Sequence, residues 1–176
     1  MRFVALLRGI NVGGNNMIKM ETLRATFESL GFENVKTYIN SGNIIFDTTR
    51  ADDKKIAKKI HDAIRADFGF DISTMVRSLA EINELIANNP YEGMFENDKD
   101  LHVFFLNEPL SAEQAALLIA QGNEAERFHI TDRHILCLLS ISILDSIVGK
   151  GFIDKKLKVA TTARNWRTVK KIAEYQ

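Results

Sequence analysis

The sequence predicts an α+β protein made of two similar halves, each with short strands and amphipathic helices. Strand-like and helix-like segments follow one another in the order βαββαβ within residues 1–78. A polar, turn-rich stretch at 90–100 comes next. The strand, helix and hairpin patterns then recur from residue 101. Since βαββαβ is the order of the ferredoxin-like unit, we predict two ferredoxin-like halves with antiparallel sheets, related by a pseudo-repeat.

The first half begins with a strand at residues 3–7, "FVALL", which is apolar on both alternating faces. A helix at about 20–30 has its apolar residues on one stripe, and Gly31 lies where a left-handed cap belongs. The runs at 34–39 and 43–48, joined by "NSG", predict a β-hairpin.

A second helix is predicted at about 52–68, because isoleucines recur there every four residues. The strand "ISTMV" at 72–76 follows it. Ser78 and Glu81 have the spacing of a capping box, so a further helix begins there and ends before Pro90.

The rest of the chain repeats these patterns more loosely. It contains a strand at 101–107, a capping box at Ser111 and Gln114, a hairpin at 127–139 and a final helix from Trp166. We therefore predict a ferredoxin-like subdomain at 1–78, a helix and linker at 79–100, and a second, diverged subdomain at 101–176 that ends in the C-terminal helix.

Composition limits the classes of function. Lys+Arg and Asp+Glu both number 23 in 176 residues, so the net charge is zero. A neutral chain argues against general affinity for nucleic acids or membrane surfaces. The one cysteine, Cys137, lies in an apolar run and is expected to be a buried thiol. With neither a signal-peptide pattern nor a membrane-length apolar segment, we expect a cytoplasmic location.

The stretch "RGINVGGNN", which leaves the first strand, is the leading candidate site. A right-handed crossover makes the first two strands parallel, so this connection and the "NSGN" hairpin should emerge at the same end of the sheet. From about Gly9 to Lys19 the connection is longer than the usual ~2–6 residues, and such long loops are often functional.

Its residues suit an anion. Gly13 and Gly14 can present backbone amides, and Arg8 has a guanidinium fork suited to phosphate or carboxylate. Lys19 lies at the helix entrance. Neutral hydrogen bonds would come from Asn11, Ser41 and Asn43. In the structural alternative, the glycines and asparagines are turn residues and Arg8 pairs with a carboxylate. Neither the Walker nor the Rossmann glycine pattern is present.

A second polar cluster, "TTARNW", occupies residues 161–166. Either threonine could cap the last helix. Arg164 and Asn165 would then lie near the N-terminus of that helix, where an anion is also favoured, although Arg164 could equally be a salt-bridge partner. We expect Trp166 to pack in the core rather than stack on a ligand.

Three stretches resemble the bacterial family catalogued as domain of unknown function (DUF) 1697: "FVALLRGINVGGNN", "MIKMETLRATFESLGFENVKTYINSGNIIF" and "ATTARNWRTVKKI". The matching segments are 7–14, 19–20, 30–32, 38–46 and 161–172. Ala163 departs from the family pattern, because it separates Thr162 from Arg164 where the family has consecutive TTRNW. The resemblance implies two ferredoxin-like subdomains and brings no activity with it.

We therefore predict a site for an anionic or nucleotide-like small molecule, at the RGINVGG loop, the NSGN hairpin and the TTARNW segment. Whether it catalyses a reaction stays open, because these motifs contain no histidine, carboxylate or cysteine to act as base or nucleophile. The four histidines lack metal-ligand spacing, so neither a metal nor a cofactor is predicted. The alternatives are a nucleic-acid-binding module and a structural or protein-interaction module without a ligand.

Overall fold

The computed structural model describes residues 1–176 and confirms the α+β prediction, with two four-stranded antiparallel sheets. The chain divides into two compact units. Unit 1 comprises Met1–Ala87 with Lys171–Gln176, and unit 2 comprises Asn88–Lys170. The division of the sequence at residues 78 and 101 stays a prediction. None of the helices is long and apolar enough to cross a membrane.

Unit 1 contains the first four strands and three helices. The strands are β1 (Arg2–Leu7), β2 (Glu33–Tyr38), β3 (Asn43–Asp47) and β4 (Thr74–Ser78), and the helices are α1 (Met20–Ser29), α2 (Asp53–Phe68) and α3 (Leu79–Ala87). The strand order β2-β3-β1-β4 is that of a ferredoxin-like sheet. Since β3 is antiparallel to both β1 and β2, the latter two are parallel, as the crossover argument predicted.

The core of unit 1 follows from the apolar pattern. Residues 3–7 are all buried, so β1 is covered on both faces, as its sequence predicted. Phe27 of α1 and Ile60 of α2 belong to one buried cluster with Phe46 of β3, and the rings of Phe32 and Phe46 stack with centroids 4.4 Å apart.

Local signals set the helix ends. Asp52 caps α2 by accepting a hydrogen bond from the Lys55 amide at 3.0 Å, and Gly69 ends that helix with φ +73°. The predicted capping box at Ser78 and Glu81 is present before α3.

Unit 2 repeats the sheet with one crossover helix fewer. It contains β5 (Leu101–Leu106), α4 (Ala112–Ile119), β6 (Glu126–Ile130), β7 (His134–Leu139), a π-helical turn (Ile153–Leu157), β8 (Thr161–Asn165) and most of α5 (Trp166–Ala173). The strand order β6-β7-β5-β8 matches that of unit 1. The capping box at Ser111 is confirmed.

The expectation that Thr161 or Thr162 caps the last helix is wrong. Both lie in β8, where Thr162 pairs with Phe105 of β5. The helix begins at Trp166, and the Asn165 side chain caps it by accepting a hydrogen bond from the Thr168 amide at 3.0 Å. Because both threonines pair with β5, the backbone stays extended through them, and the helix cap falls on Asn165, the last residue of β8.

The pseudo-repeat extends further than the sequence patterns indicated. Arg77 of β4 faces Val4 of β1, and Arg164 of β8 faces Val103 of β5. The Nη1 atom of each arginine donates to the carbonyl oxygen of the preceding residue at 2.8 Å. Strand β4 with α3 is therefore the counterpart of β8 with α5.

Candidate functional site

Two connections of unit 1 lie side by side at one end of its sheet. They are residues 8–19, between β1 and α1, and residues 39–42, between β2 and β3, and we call them together the rim. The Leu7 amide donates to the Gly42 carbonyl oxygen at 2.8 Å, and Asn11 Nδ2 donates to the Asn40 carbonyl oxygen at 2.9 Å. This is the arrangement that the parallel strands predicted.

The long connection contains a small hairpin of its own. Val12 and Asn15 form a β-bridge around Gly13 and Gly14, and the Asn15 amide donates to the Val12 carbonyl oxygen at 3.0 Å. The glycines have φ +57° and +77°, and a type I′ turn requires positive values at both positions. The backbone amides of both glycines are without a protein acceptor, so the hairpin tip presents two N–H groups to solvent.

Asn11 holds this hairpin against its neighbours. Its Oδ1 atom accepts a hydrogen bond from the Ile18 amide at 2.8 Å, and its Nδ2 atom donates to the carbonyl oxygens of Ile18 and Asn40. These three bonds close the connection at its base. Asn11 therefore has a structural position in the rim, and direct contact between its side chain and a ligand stays a prediction.

The turn at 39–42 is held in place by hydrogen bonds of Asn43 and by close packing of Gly42 against β1. Asn43 is fully buried, and its Nδ2 atom donates to the Tyr38 carbonyl oxygen at 3.0 Å and to Ser41 Oγ at 3.1 Å. A Cβ atom on Gly42 would lie 2.8 Å from the Leu7 Cβ atom, so only glycine lets the turn approach β1 this closely. Asn43 and Ser41 thus shape the rim through their bonds to each other and to the backbone.

The predicted cations of the rim have different surroundings. Arg8 is half-buried, and its amide donates to the Ser73 carbonyl oxygen at 3.0 Å. The ammonium group of Lys19 is exposed and makes no hydrogen bond or ion pair within the chain. Lys19 is also the N-cap residue of α1, where no side chain caps the first-turn amides. An unpaired cation and uncapped amides therefore lie together at the entrance of this helix.

Three exposed apolar side chains of the rim were not predicted as site residues. Val12, Met17 and Ile39 are 60%, 61% and 49% exposed. Ile39 also has φ +49°, an unusual conformation for a β-branched residue. Strain of this kind occurs disproportionately at functional sites. The sequence signal for these residues is weak, because each lies in a polar stretch without apolar periodicity.

The predicted residues of unit 2 lie in regular structure. Arg164 is buried in β8, its Nη1 atom donates to Thr162 Oγ1 at 2.8 Å, and burial lowers its pKa to about 10. Asn165 caps α5. The roles of these two residues as ligand contacts stay predictions.

Two further expectations for unit 2 are confirmed. Trp166 is 2% exposed and packs in the core, and Cys137 is fully buried. Sequence reasoning also missed the buried arginine of unit 1, Arg77, although the pattern T-x-x-R at 74–77 recurs at 161–164.

Comparisons with known proteins place the chain in a family. The solved structure of conserved bacterial protein SP0830 from Streptococcus pneumoniae is similar over 98% of this chain and 97% of that chain, with a TM-score of 0.78 and 26% sequence identity. No curated protein matches the sequence. The family model described as "Protein of unknown function (DUF1697)" matches residues 1–136, which include all of the rim. The chain belongs to the DUF1697 family of proteins of unknown function.

Proposed function

We propose that the rim of unit 1 binds a small anionic molecule of the nucleotide type. The observation that carries this proposal is an internal comparison. Twelve residues, 8–19, connect β1 to α1, whereas five residues, 107–111, make the equivalent connection from β5 to α4. Ile10 and Ile18 of the longer connection pack in the core of unit 1. Since the same scaffold closes with five residues elsewhere, we infer that the exposed part of the longer connection serves a ligand.

The groups at the rim fit an anionic ligand. The Gly13 and Gly14 amides, the Lys19 ammonium group and the first-turn amides of α1 are donors or positive charges. Arg8 lies at the base of the same connection. Such donors suit a phosphate or carboxylate group.

The exposed apolar side chains Val12, Met17 and Ile39 supply a second kind of contact. They suit the flat, weakly polar part of a nucleotide-like ligand. Asn11 and Asn43 act as positioning residues, because their hydrogen bonds hold the two connections in place. The sheets are poorly suited to binding a nucleic acid, because residues 3–7 of β1 are buried, and β5 is apolar and buried except at the half-buried His102.

Thermal shift measurements with a set of nucleotides, phosphorylated metabolites and inorganic phosphate test the proposal. A charge-assisted hydrogen bond contributes about 1.5–3 kcal/mol, so Lys19→Ala should weaken the binding of an active anion by roughly 10- to 100-fold. Lys156→Ala is the matched control, because Lys156 is an exposed lysine of unit 2 with no ion pair. The proposal fails if no anion stabilises the protein, or if Lys19→Ala and Lys156→Ala respond alike.

A further inference from the structure

Unit 2 contains a cleft that none of the sequence motifs indicated. Its volume is about 220 Å³. One side is the segment around Met94 and Phe95, which the sequence assigned to a linker, and the other includes the end of β7 at Leu138 and Leu139. Asp100, Glu124, Arg127 and Ser140 complete the lining. The lining of the cleft is thus half apolar and half polar, and three of its polar residues are charged.

Two of its charged side chains interact with neighbours only electrostatically: Asp100 acts on the imidazole of His102, and Arg127 acts on the hydroxyl of Tyr91. Arg127 and Glu124 are exposed and Asp100 is half-buried, and none of the three side chains makes a hydrogen bond or an ion pair. Opposite charges around one cleft therefore remain unpaired with each other. Such an arrangement suits a ligand that carries both signs of charge, since a guanidinium binds a carboxylate bidentately and a carboxylate accepts from an ammonium group.

The apolar wall and the volume further restrict the class of ligand that the cleft can hold. Met94 is 49% exposed, and a methionine side chain adapts its shape to an apolar neighbour. The volume lies below the ~300–1,000 Å³ typical of pockets for drug-sized ligands, which favours a smaller ligand.

We propose that this cleft binds a zwitterionic α-amino acid with an apolar side chain. Arg127 holds the ligand carboxylate, Asp100 or Glu124 accepts from the ammonium group, and the side chain packs against Met94 and Phe95. The proposal is independent of the anion site in unit 1, because it uses no residue of the rim.

An NMR titration of the full chain tests this assignment, with L-leucine and L-methionine as probes. Saturable shifts are expected at the Met94 methyl group and at the amides of 138–140. N-acetyl-L-leucine and L-leucinamide each lack one ligand charge, and each should bind about tenfold or more weakly, as the loss of a charge-assisted hydrogen bond implies. These comparisons use the unaltered protein and do not depend on whether a variant folds.

Arg127→Gln should weaken the binding of L-leucine by a similar factor. Arg167→Gln is the control, because Arg167 is an exposed, unpaired arginine outside the cleft, and it should leave binding unchanged. The assignment is overturned if no amino acid causes shifts at the cleft, if the blocked analogues bind as well as leucine, or if Arg127→Gln binds like the unaltered protein.

Discussion

Replacement of Gly42 by alanine should destabilise the protein more than the same replacement at Gly14. Both glycines have positive φ, +87° and +77°, so each alanine incurs the left-handed backbone penalty of roughly 1–2 kcal/mol. Only at position 42 does the new Cβ atom meet packed atoms, 2.8 Å from Leu7 Cβ and 3.0 Å from Ile10 Cδ1. At position 14 nothing lies within 4 Å.

The difference between the two variants isolates the packing contribution. Leu7 and Ile10 are fully buried, so they cannot swing into solvent to relieve the contact. Overpacking of a core costs about 1–3 kcal/mol, which gives a total of roughly 2–5 kcal/mol for Gly42→Ala against about 1–2 kcal/mol for Gly14→Ala. The reduced freedom of the unfolded chain, worth ~0.4–1 kcal/mol, favours both alanine variants equally and cancels in the difference.

Urea denaturation followed by far-ultraviolet circular dichroism measures this difference. With unchanged slopes, the unfolding midpoint should fall for both variants and fall further for Gly42→Ala. Equal midpoints, or a lower midpoint for Gly14→Ala, would show that the 39–42 turn is not held against β1 as described.

Three further predictions concern single side chains. His61 Nε2 lies 2.6 Å from Asp71 Oδ1, and this hydrogen bond raises the pKa of His61 in the folded protein. The hydrogen bond therefore stabilises the fold fully below the unfolded-state pKa of about 6.5, and this stabilisation is lost as pH rises through the pKa of His61 in the folded state. Asp71→Asn should lower that pKa in an NMR titration, and an unchanged value would contradict the pairing. Asn165→Ala should lower the free energy of unfolding by ~1 kcal/mol in denaturant, whereas Asn165→Ser should leave it near the wild-type value, because serine also caps helices. An equal loss of stability in both variants would argue against the cap. Burial raises the pKa of the Cys137 thiol, so a thiol reagent should modify it only as the protein unfolds, and rapid modification in native buffer would refute its burial.

The features that the sequence predicted well are those with local causes. Isoleucines at 56, 60 and 64 define the buried face of α2, and Asp52 and Gly69 mark its two ends. The capping boxes at Ser78 and Ser111 depend on side chains three residues apart. Even the meeting of the two rim connections followed from local signals, because the order of strands and the handedness of the crossover determine which ends coincide.

The features that it did not predict depend on distant partners. Residues 161–165 form a strand because β5 offers a free edge, and nothing within "TTARN" distinguishes that strand from a helix entrance. Asn11 is similar, since one of its acceptors, the Asn40 carbonyl oxygen, lies 29 positions away in the chain. An asparagine in a glycine-rich loop looks the same in the sequence whether or not it holds the loop, so the hydrogen bonds of Asn11 could not be predicted from the sequence.

Comparison of the two units separates the features that both share from the segments in which they differ. Both units share the strand order, the buried arginine of their last strand and the helix that follows it. The two units differ in three segments. Unit 1 has the longer connection at residues 8–19. Unit 2 has the additional segment 88–100, and residues 140–160 take the place of the crossover helix α2 of unit 1. The unpaired Lys19 lies in the first departure, and Met94 and Phe95 of the cleft lie in the second. Side chains on such added segments can change without loss of the sheet. Replacement of an exposed side chain within the departures, such as that of Lys19, should therefore alter ligand binding more readily than stability, whereas variants of Gly42, which belongs to the shared hairpin, should alter stability.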